Sequence, residues 1–386
     1  MKRALVVLAI ISGGALSGQV SNYQNTAANI LSNNEALSIR GYAELVYGQP
    51  YSATTRYNAK LDAKRFVLFT GYKFDSKTSF VTEMEVEHGS EIYLEQAFLQ
   101  HRLAPSINLR AGLLLIPMGI VNEYHEPTTF HGVERPNVDK YIIPSTWREM
   151  GFGFQGVVPA SSVRYQAYLV NGLKSHDGNA GLIDEVKGIR SGRQKAIKST
   201  MSQANFTGKI EYVGWANWNL SASFYLGATQ SPLYDGVDKP DAAGMATADS
   251  SVIGMNMLGL DNRYQKGRVQ FRSQFVYNAL SNTTAYNAFT GKTLGSAMWG
   301  GFGELAYQIL PASNTHQLFV FARMEQYDTQ VGAPEAIANI MSDRSEWTIG
   351  LSWVPSNGSV IKADYQFLNQ GGSMNHLLNL GIGVWF

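Results

Sequence analysis

From Ser38 to Phe386 the chain is written in period two. Short segments alternate apolar and polar residues and end in turn residues, and no run of about 18 apolar residues, the minimum for a membrane-crossing helix, interrupts them. We read sixteen segments as strands: 38–48, 62–73, 79–88, 91–103, 107–116, 148–157, 163–171, 205–213, 219–229, 252–263, 268–280, 298–309, 316–329, 346–354, 359–369 and 375–386. In the last, Leu378, Leu380, Ile382, Val384 and Phe386 alternate with Asn379, Gly381 and Gly383. In the eleventh, Val269, Phe271, Phe275 and Tyr277 alternate with Arg268, Gln270, Arg272, Gln274 and Asn278. Strands of about 9–11 residues that turn an apolar face outward and a polar face inward are the mark of a transmembrane β-barrel.

The connections carry the same message. They alternate between mostly long and short, and the short set includes PASS, QKG, PASNT and PSNG. Outer-membrane barrels have short periplasmic turns and longer extracellular loops. Sixteen strands place both chain ends on the periplasmic side. The expected fold class is therefore all-β: a 16-stranded antiparallel transmembrane β-barrel, without helices. A barrel of that size leaves an aqueous channel. Its charged residues must face that channel, because an Arg or Lys facing lipid costs about 2–4 kcal/mol at the midplane.

Composition agrees. Only 16% of residues are charged, there is no Cys, and the chain is rich in Gly and aromatic residues. The charge balance gives no reason to expect a nucleic-acid partner, and no thiolate metal site is possible. At the N-terminus, Lys2 and Arg3 precede an apolar run from Ala4 to Ile11 and the small residues around Ala15-Leu16-Ser17. That is the pattern of a secretory signal peptide. We assign residues 1–18 to the signal, 19–37 to a periplasmic lead-in and 38–386 to the barrel. Removing the signal leaves 29 basic residues against 30 acidic ones.

One stretch departs from the alternation. Residues 117–147, PMGIVNEYHEPTTFHGVERPNVDKYIIPSTW, are polar, carry four prolines and keep no period. Structureless inserts of this length are uncommon unless functional. It follows the fifth strand, so it is the third extracellular loop, and we expect it to fold into the lumen as a constriction. Its polar candidates are His125, Glu126, His131, Glu134, Arg135 and Lys140. Prolines 127, 136 and 144 would stiffen it, and Phe130, Tyr141, Ile142 and Ile143 would pin it to the wall. A metal site at His125, Glu126 and His131 is disfavoured, because the spacing matches no metal motif and Pro127 breaks a helix start.

Opposite the loop, Glu83, Glu85 and Glu87 share one face of a strand, about 7 Å apart, with Glu95 on the next. They can act as a cation-attracting wall, or hold a divalent cation, or anchor the loop through Arg110, Arg135 or backbone N–H groups, as the polar groups of a folded-in loop require. Arg164, Arg268 and Arg272 complete the expected pore-lining set. The fourth extracellular loop, 172–202, carries six Lys and Arg against three Asp and Glu, a mouth that would draw anions or contact lipopolysaccharide phosphates. No G-x-S-x-G, H-E-x-x-H or P-loop occurs. The reading is of a protein that is not an enzyme and needs no cofactor.

EMEVEH at 83–88, EQAF at 95–98 and the run from Leu109 to Gly153 resemble the phosphate-selective porin family, the porin O and P group. The resemblance is strongest over 66–171 and is one of pattern beyond it. It implies an outer-membrane porin passing small hydrophilic solutes or ions, built as a homotrimer with the third loop inside the barrel. The C-terminal Phe386 after Gly383-Val384-Trp385 resembles the signal read by the barrel-assembly machinery. One departure stands out: phosphate channels of the family line the pore with many Arg and Lys. Here the inward set is mixed, with Arg40, Arg65, Arg110, Arg164, Lys209, Arg268, Arg272, Arg323 and Lys362 set against Glu44, Glu83, Glu85, Glu87, Glu95, Glu149, Glu211, Glu304, Glu325 and Asp364. Phosphate selectivity is therefore the weakest part of the resemblance.

Overall fold

The computed structural model describes residues 25–52, 54–311 and 314–386. The signal-peptide assignment, and the lead-in up to residue 24, lie outside them. Sixteen antiparallel strands close into one barrel, each paired with its neighbours in sequence and β1 paired with β16. They are β1 (Leu37–Tyr51), β2 (Lys60–Lys73), β3 (Thr78–Glu87), β4 (Glu91–Ala104), β5 (Ile107–Leu115), β6 (Arg148–Val158), β7 (Val163–Val170) and β8 (Asn205–Trp215). The second half is β9 (Trp218–Ala228), β10 (Gly254–Lys266), β11 (Val269–Ser281), β12 (Ala297–Gln308), β13 (Gln317–Val331), β14 (Asp343–Ser356), β15 (Ser359–Gln370) and β16 (Ser373–Trp385). Every expected strand is present, with ends within three residues of those read from the sequence. Closure leaves no unpaired edge, which a lipid-embedded sheet requires.

The faces follow the alternation. Leu380, Ile382 and Val384 are exposed on the outside of β16, while Asn379, Gly381 and Gly383 point inward and are buried. On β3, Glu83 and Glu85 point in and Met84 points out. On β4, strict alternation would put Gln96 and Phe98 on the same face as Leu94. A register shift against β3 resolves this: Glu83 pairs with Gln96 and Met84 with Leu94, leaving Glu95 as the extra residue. Glu95 and Gln96 are both buried in the lumen, and Phe98 follows them inside.

The expectation of a chain without helices is corrected. Four short helices occur among the described residues: α1 (Thr26–Ser32), α2 (Val138–Tyr141), α3 (Ala242–Ser250) and α4 (Thr283–Thr290). The last three sit in long loops, where a few residues can turn without leaving the barrel pattern. The first changes the picture of the lead-in. Asn25 caps α1 by accepting from the Ala28 N–H. Ile30 lies on the inner face of Gly71, so close that a Cβ there would sit 2.0 Å from its Cγ2. Thr26 accepts a hydrogen bond from the Trp385 indole at 2.9 Å. The helix therefore packs inside the barrel, at the end that carries the short turns.

The largest apolar cluster also lies inside the barrel. Loop 3 contributes Ile116, Met118, Val138, Ile142, Ile143 and Trp147, and the wall contributes Val67, Phe69, Val276 and Tyr327 among others. Trp147 packs on Tyr225 with ring centroids 4.7 Å apart.

Candidate functional site

Loop 3 leaves the wall after Leu115 and returns at Arg148. Its two ends are clasped together: Ile116 N–H donates to the Trp147 carbonyl at 2.9 Å. One buried amide completes the clasp. Asn122 Nδ2 donates to the carbonyls of Ile116 (2.7 Å) and Trp147 (3.0 Å), and its Oδ1 accepts from the Trp147 N–H at 2.7 Å.

From that neck the loop crosses the lumen and touches wall on both sides. On β3, Glu83 Oε1 lies 3.1 Å from His125 Nε2. Glu126 accepts from the backbone N–H and hydroxyl of Thr26 at 3.0 and 2.9 Å, tying the loop to α1. On β15, Lys362 Nζ donates to the Phe130 and Gly132 carbonyls at 2.7 and 2.8 Å, and Asp364 accepts from the Val133 N–H at 2.6 Å. On β13 and β14, Glu325 accepts from the Val138 N–H and Glu346 from the Asn137 amide. On β11, Gln274 serves both strands of the loop, accepting from Ile120 N–H at 2.7 Å and donating to Asp139 Oδ1 at 3.1 Å. Gly381 and Gly383 permit the closest approach: a Cβ there would lie 2.9 Å from Val133 and 2.7 Å from Pro127. The arrangement is a diaphragm held by the wall around its rim.

The same contacts account for most of the acidic triplet. Glu83 and Glu85 are 0% and 2% exposed, so they do not form an open acidic wall. Glu83 holds His125 and accepts from Gln96. Glu85 and Glu87 lie 3.2 and 3.9 Å from the Arg65 guanidinium, which also meets Glu44 at 3.0 Å. Glu95 pairs with Arg148 at 2.6 Å. Carboxylates buried under a loop must be matched by donors, and the neighbouring strands supply them. Glu83 thus meets loop 3 at His125, while Glu85 and Glu95 are paired within the wall to Arg65 and Arg148.

The remaining candidates divide. Glu134 pairs with Lys64 at 2.5 Å, and Arg135 donates to the His125 carbonyl at 2.8 Å. Arg272 holds Glu304 and the Thr129 carbonyl (2.9 Å). His131 meets Gln270 at 3.0 Å on the far side of the lumen from His125, so His125, Glu126 and His131 do not converge. Among the described residues no group of three or more His, Asp or Glu could hold a metal ion. Arg268 is exposed in the short turn between β10 and β11, away from the constriction. Arg110 and Arg164 line open space instead, a polar vestibule of about 510 Å³ at the short-turn end of the β5–β8 wall. Loop 4 lies over the diaphragm, where Arg190 and Arg193 each donate to the Ser145 carbonyl at 2.8 Å.

Several anchors escaped the sequence reading. Asn122 and Gln274 are uncharged, so no charge pattern singles them out. Lys362 and Asp364 were placed on the inward face but not at the site, because nothing in sequence says which part of loop 3 reaches β15.

Loop 3 also holds displaced protonation equilibria. Burial pushes the Asp139 carboxyl up to about 8, with Asp261 and Glu325 adding to the rise. Burial works against the charged form of His125, but the Glu83 carboxylate outweighs it and holds the imidazole above its ordinary value. Burial lowers His131 to about 4, so it is neutral at pH 7. A docked Asp139 keeps a proton that a released one loses. Docking is therefore strongest in the acid range and weakens as pH rises to about 8, and His125 acts in the same direction above its ordinary value. Below that value His131 opposes the trend. Conductance is expected to rise several-fold between pH 6.5 and 8.5 in wild type and much less in Asp139→Asn. A flat profile in wild type would refute this coupling.

A closed sixteen-stranded barrel with a third loop folded across its lumen is a porin-type outer-membrane architecture. No protein-family model matches the chain. It belongs to the same family as an uncharacterized protein of Aquifex aeolicus (strain VF5), to which it is 31% identical over 351 residues, 88% of this chain and 77% of that one. Among solved structures it is similar to OmpF of Salmonella typhi in complex with daunomycin (10% identity, 91% and 97% of the two chains, TM-score 0.57). It is likewise similar to the anion-selective porin of Comamonas acidovorans (11% identity, 91% and 99%, TM-score 0.55). A third similar structure is the loop L8 deletion mutant of OmpT, an outer membrane protein of Vibrio cholerae (9% identity, 91% and 100%, TM-score 0.56). At these identities the likeness is one of fold.

Proposed function

We propose that the chain is an outer-membrane porin, without enzymatic activity, through which small hydrophilic solutes or ions diffuse passively, and that loop 3 is its filter. The observation that carries the reading is the diaphragm itself: a polar loop held across a sixteen-stranded lumen by buried side chains of the wall. The polar vestibule beside it supplies a wet approach from the short-turn end. Sieving by size is the main effect of such a loop. A transverse field is weaker than a strongly one-signed wall would give, because Arg65, Arg148, Lys209, Arg272 and Arg323 each lie within 4 Å of a carboxylate. For the same reason a strong phosphate preference is not part of the proposal. Insertion with both chain ends in the periplasm, entry by way of a cleaved signal and the assembly machinery, and a homotrimer are included in it. The trimer draws support from OmpT of Vibrio cholerae, whose solved structure is described as a trimer form.

The test is reconstitution. Purified protein should shift in gel mobility on heating, as folded barrels do, and give ohmic steps of conductance in planar bilayers. A folded, inserted barrel that never conducts would make it a structural or adhesive barrel with a blocked lumen.

A further inference from the structure

The short-turn end of the lumen is filled unevenly. The polar vestibule lies on the β5–β8 side, and α1 lies against β1, β2 and β3. The wall beneath the helix is apolar, unlike the polar lining of a water-filled barrel. Gly71 on β2, Val81 on β3 and Phe98 on β4 stand directly across from one another on the inner face. Ile30 sits in the dent that Gly71 leaves between Ser38 and Val81. Ile30, Val81 and Phe98 are all buried. These positions make a seat for the helix.

The same helix walls a narrow neck. Past Arg110 the space tapers to about 20 Å³, bounded by Phe98, Arg110, Leu114 and Tyr168 of the wall and by Asn25 and Ala27 of α1. That is room for little more than one water. The wall side chains are carried by strands with a ladder on each side. Glu123 of loop 3 completes the boundary and is fixed by Lys209 at 2.8 Å. The helix has no ladder, and its seven residues are too few to hold a helix alone. Its upper end is held by the Thr26–Glu126 and Trp385–Thr26 hydrogen bonds and by the Asn25 amide, which donates to the Glu123 carbonyl at 3.0 Å. Its foot is tied separately: Asn33 Nδ2 donates to Ser38 Oγ at 2.7 Å, and residues 34–36, which join it to β1, are exposed.

We propose that α1 is a displaceable plug that regulates the channel. Seated on Gly71, it holds the neck to single-water width. Turned about its foot toward the short-turn end, it opens the vestibule to the underside of loop 3. Unseating bares Val81 and Phe98 to water, so the seated state dominates. The channel therefore rests at a low conductance and rises from it in brief excursions. The proposal rests on the porin reading, because it names the regulation of that same channel.

Planar-bilayer recordings of the full chain should show two levels. The chain has no Cys, so Ile30→Cys with Gly71→Cys introduces a single pair of thiols. A Cβ on Gly71 would lie 3.4 Å from that of Ile30, close to the roughly 3.5–4.5 Å that a disulfide spans. Oxidised, the double variant should stay at the lower level, and dithiothreitol should restore the upper one. Displacement is also read without conductance, by maleimide labelling of the single variant Ile30→Cys in the detergent-folded barrel. The position is buried, so its thiol reacts when the helix is out. Adding Gly71→Leu, which fills the dent, should speed labelling roughly tenfold or more, the shift expected for one lost aliphatic contact. A wild type with one level, oxidised and reduced double variants that record alike, or a pair that does not oxidise would each overturn the plug. If the double variant does not fold, labelling decides, and equal rates with and without Gly71→Leu overturn it. A conducting barrel with one level loses the plug alone. A barrel that never conducts, but whose labelling responds to Gly71→Leu, keeps the displaceable helix and loses the channel.

Discussion

Replacing Arg65 with Met is expected to cost the barrel about 3–5 kcal/mol, the usual penalty for leaving buried charge unpaired. The reason lies in strand register. Arg65 on β2 stands directly across from Glu44 on β1 and from Glu87 on β3, with Glu85 diagonal to it. One guanidinium thus faces three carboxylates, at 3.0, 3.9 and 3.2 Å. Arg65, Glu44 and Glu85 are 7%, 4% and 2% exposed, so water cannot take over from the lost cation without entering beneath loop 3. Arg65→Lys should recover only part of the loss, because a single ammonium cannot fork to three partners. Glu44→Gln should cost less than Arg65→Met, since it removes one of three like charges and leaves the cation paired. Denaturant unfolding in detergent reads all three. A loss below about 1 kcal/mol in Arg65→Met would mean that the network is hydrated like a surface ion pair.

The Arg65 cluster also marks how far sequence reasoning reaches. Alternation alone placed Arg65, Glu44, Glu83, Glu85 and Glu87 on the inner face, and the structure has them there. Period two is a local property, dictated by the pleat and by lipid outside, so it survives in a sequence. What those carboxylates do there is not local. It depends on a loop that begins some thirty residues later and on which wall that loop meets. Glu83 reads as a pore charge until His125 is seen resting on it. Asn122, which clasps the loop ends, carries no charge or period to betray it. The bulge at Glu95 shows the same limit on a smaller scale: the sequence reveals the conflict between Leu94 and Gln96, but only pairing with β3 resolves it. The helix α1 lies further still from sequence signals, because its role comes from contacts with Gly71, Glu126 and Trp385.

Deleting Val121–Asp139 is expected to raise single-channel conductance several-fold while the barrel stays folded. The loop contributes apolar contacts and both carbonyls that hold Lys362, so some stability is lost, but the acidic wall anchors are not orphaned by its removal. Glu83 keeps Gln96 at 2.7 Å, Glu325 keeps Arg323 at 2.8 Å, and Asp364 keeps Asn379 at 2.8 Å. Their freed valences turn toward a lumen that, at sixteen strands, is wide enough to fill with water. Two controls locate the obstruction. Thr26→Val, which removes the hydroxyl that α1 gives to Glu126, should change conductance little, because the loop keeps its hold on β11, β13 and β15. Removing α1 together with the loop segment should give a larger step than the loop alone, since the helix fills the lumen at the short-turn end. A heat-modifiable deletion barrel with wild-type conductance would place the barrier at α1 and not at the diaphragm. Loop 3 would then be a structural brace of the wall, and α1 the filter.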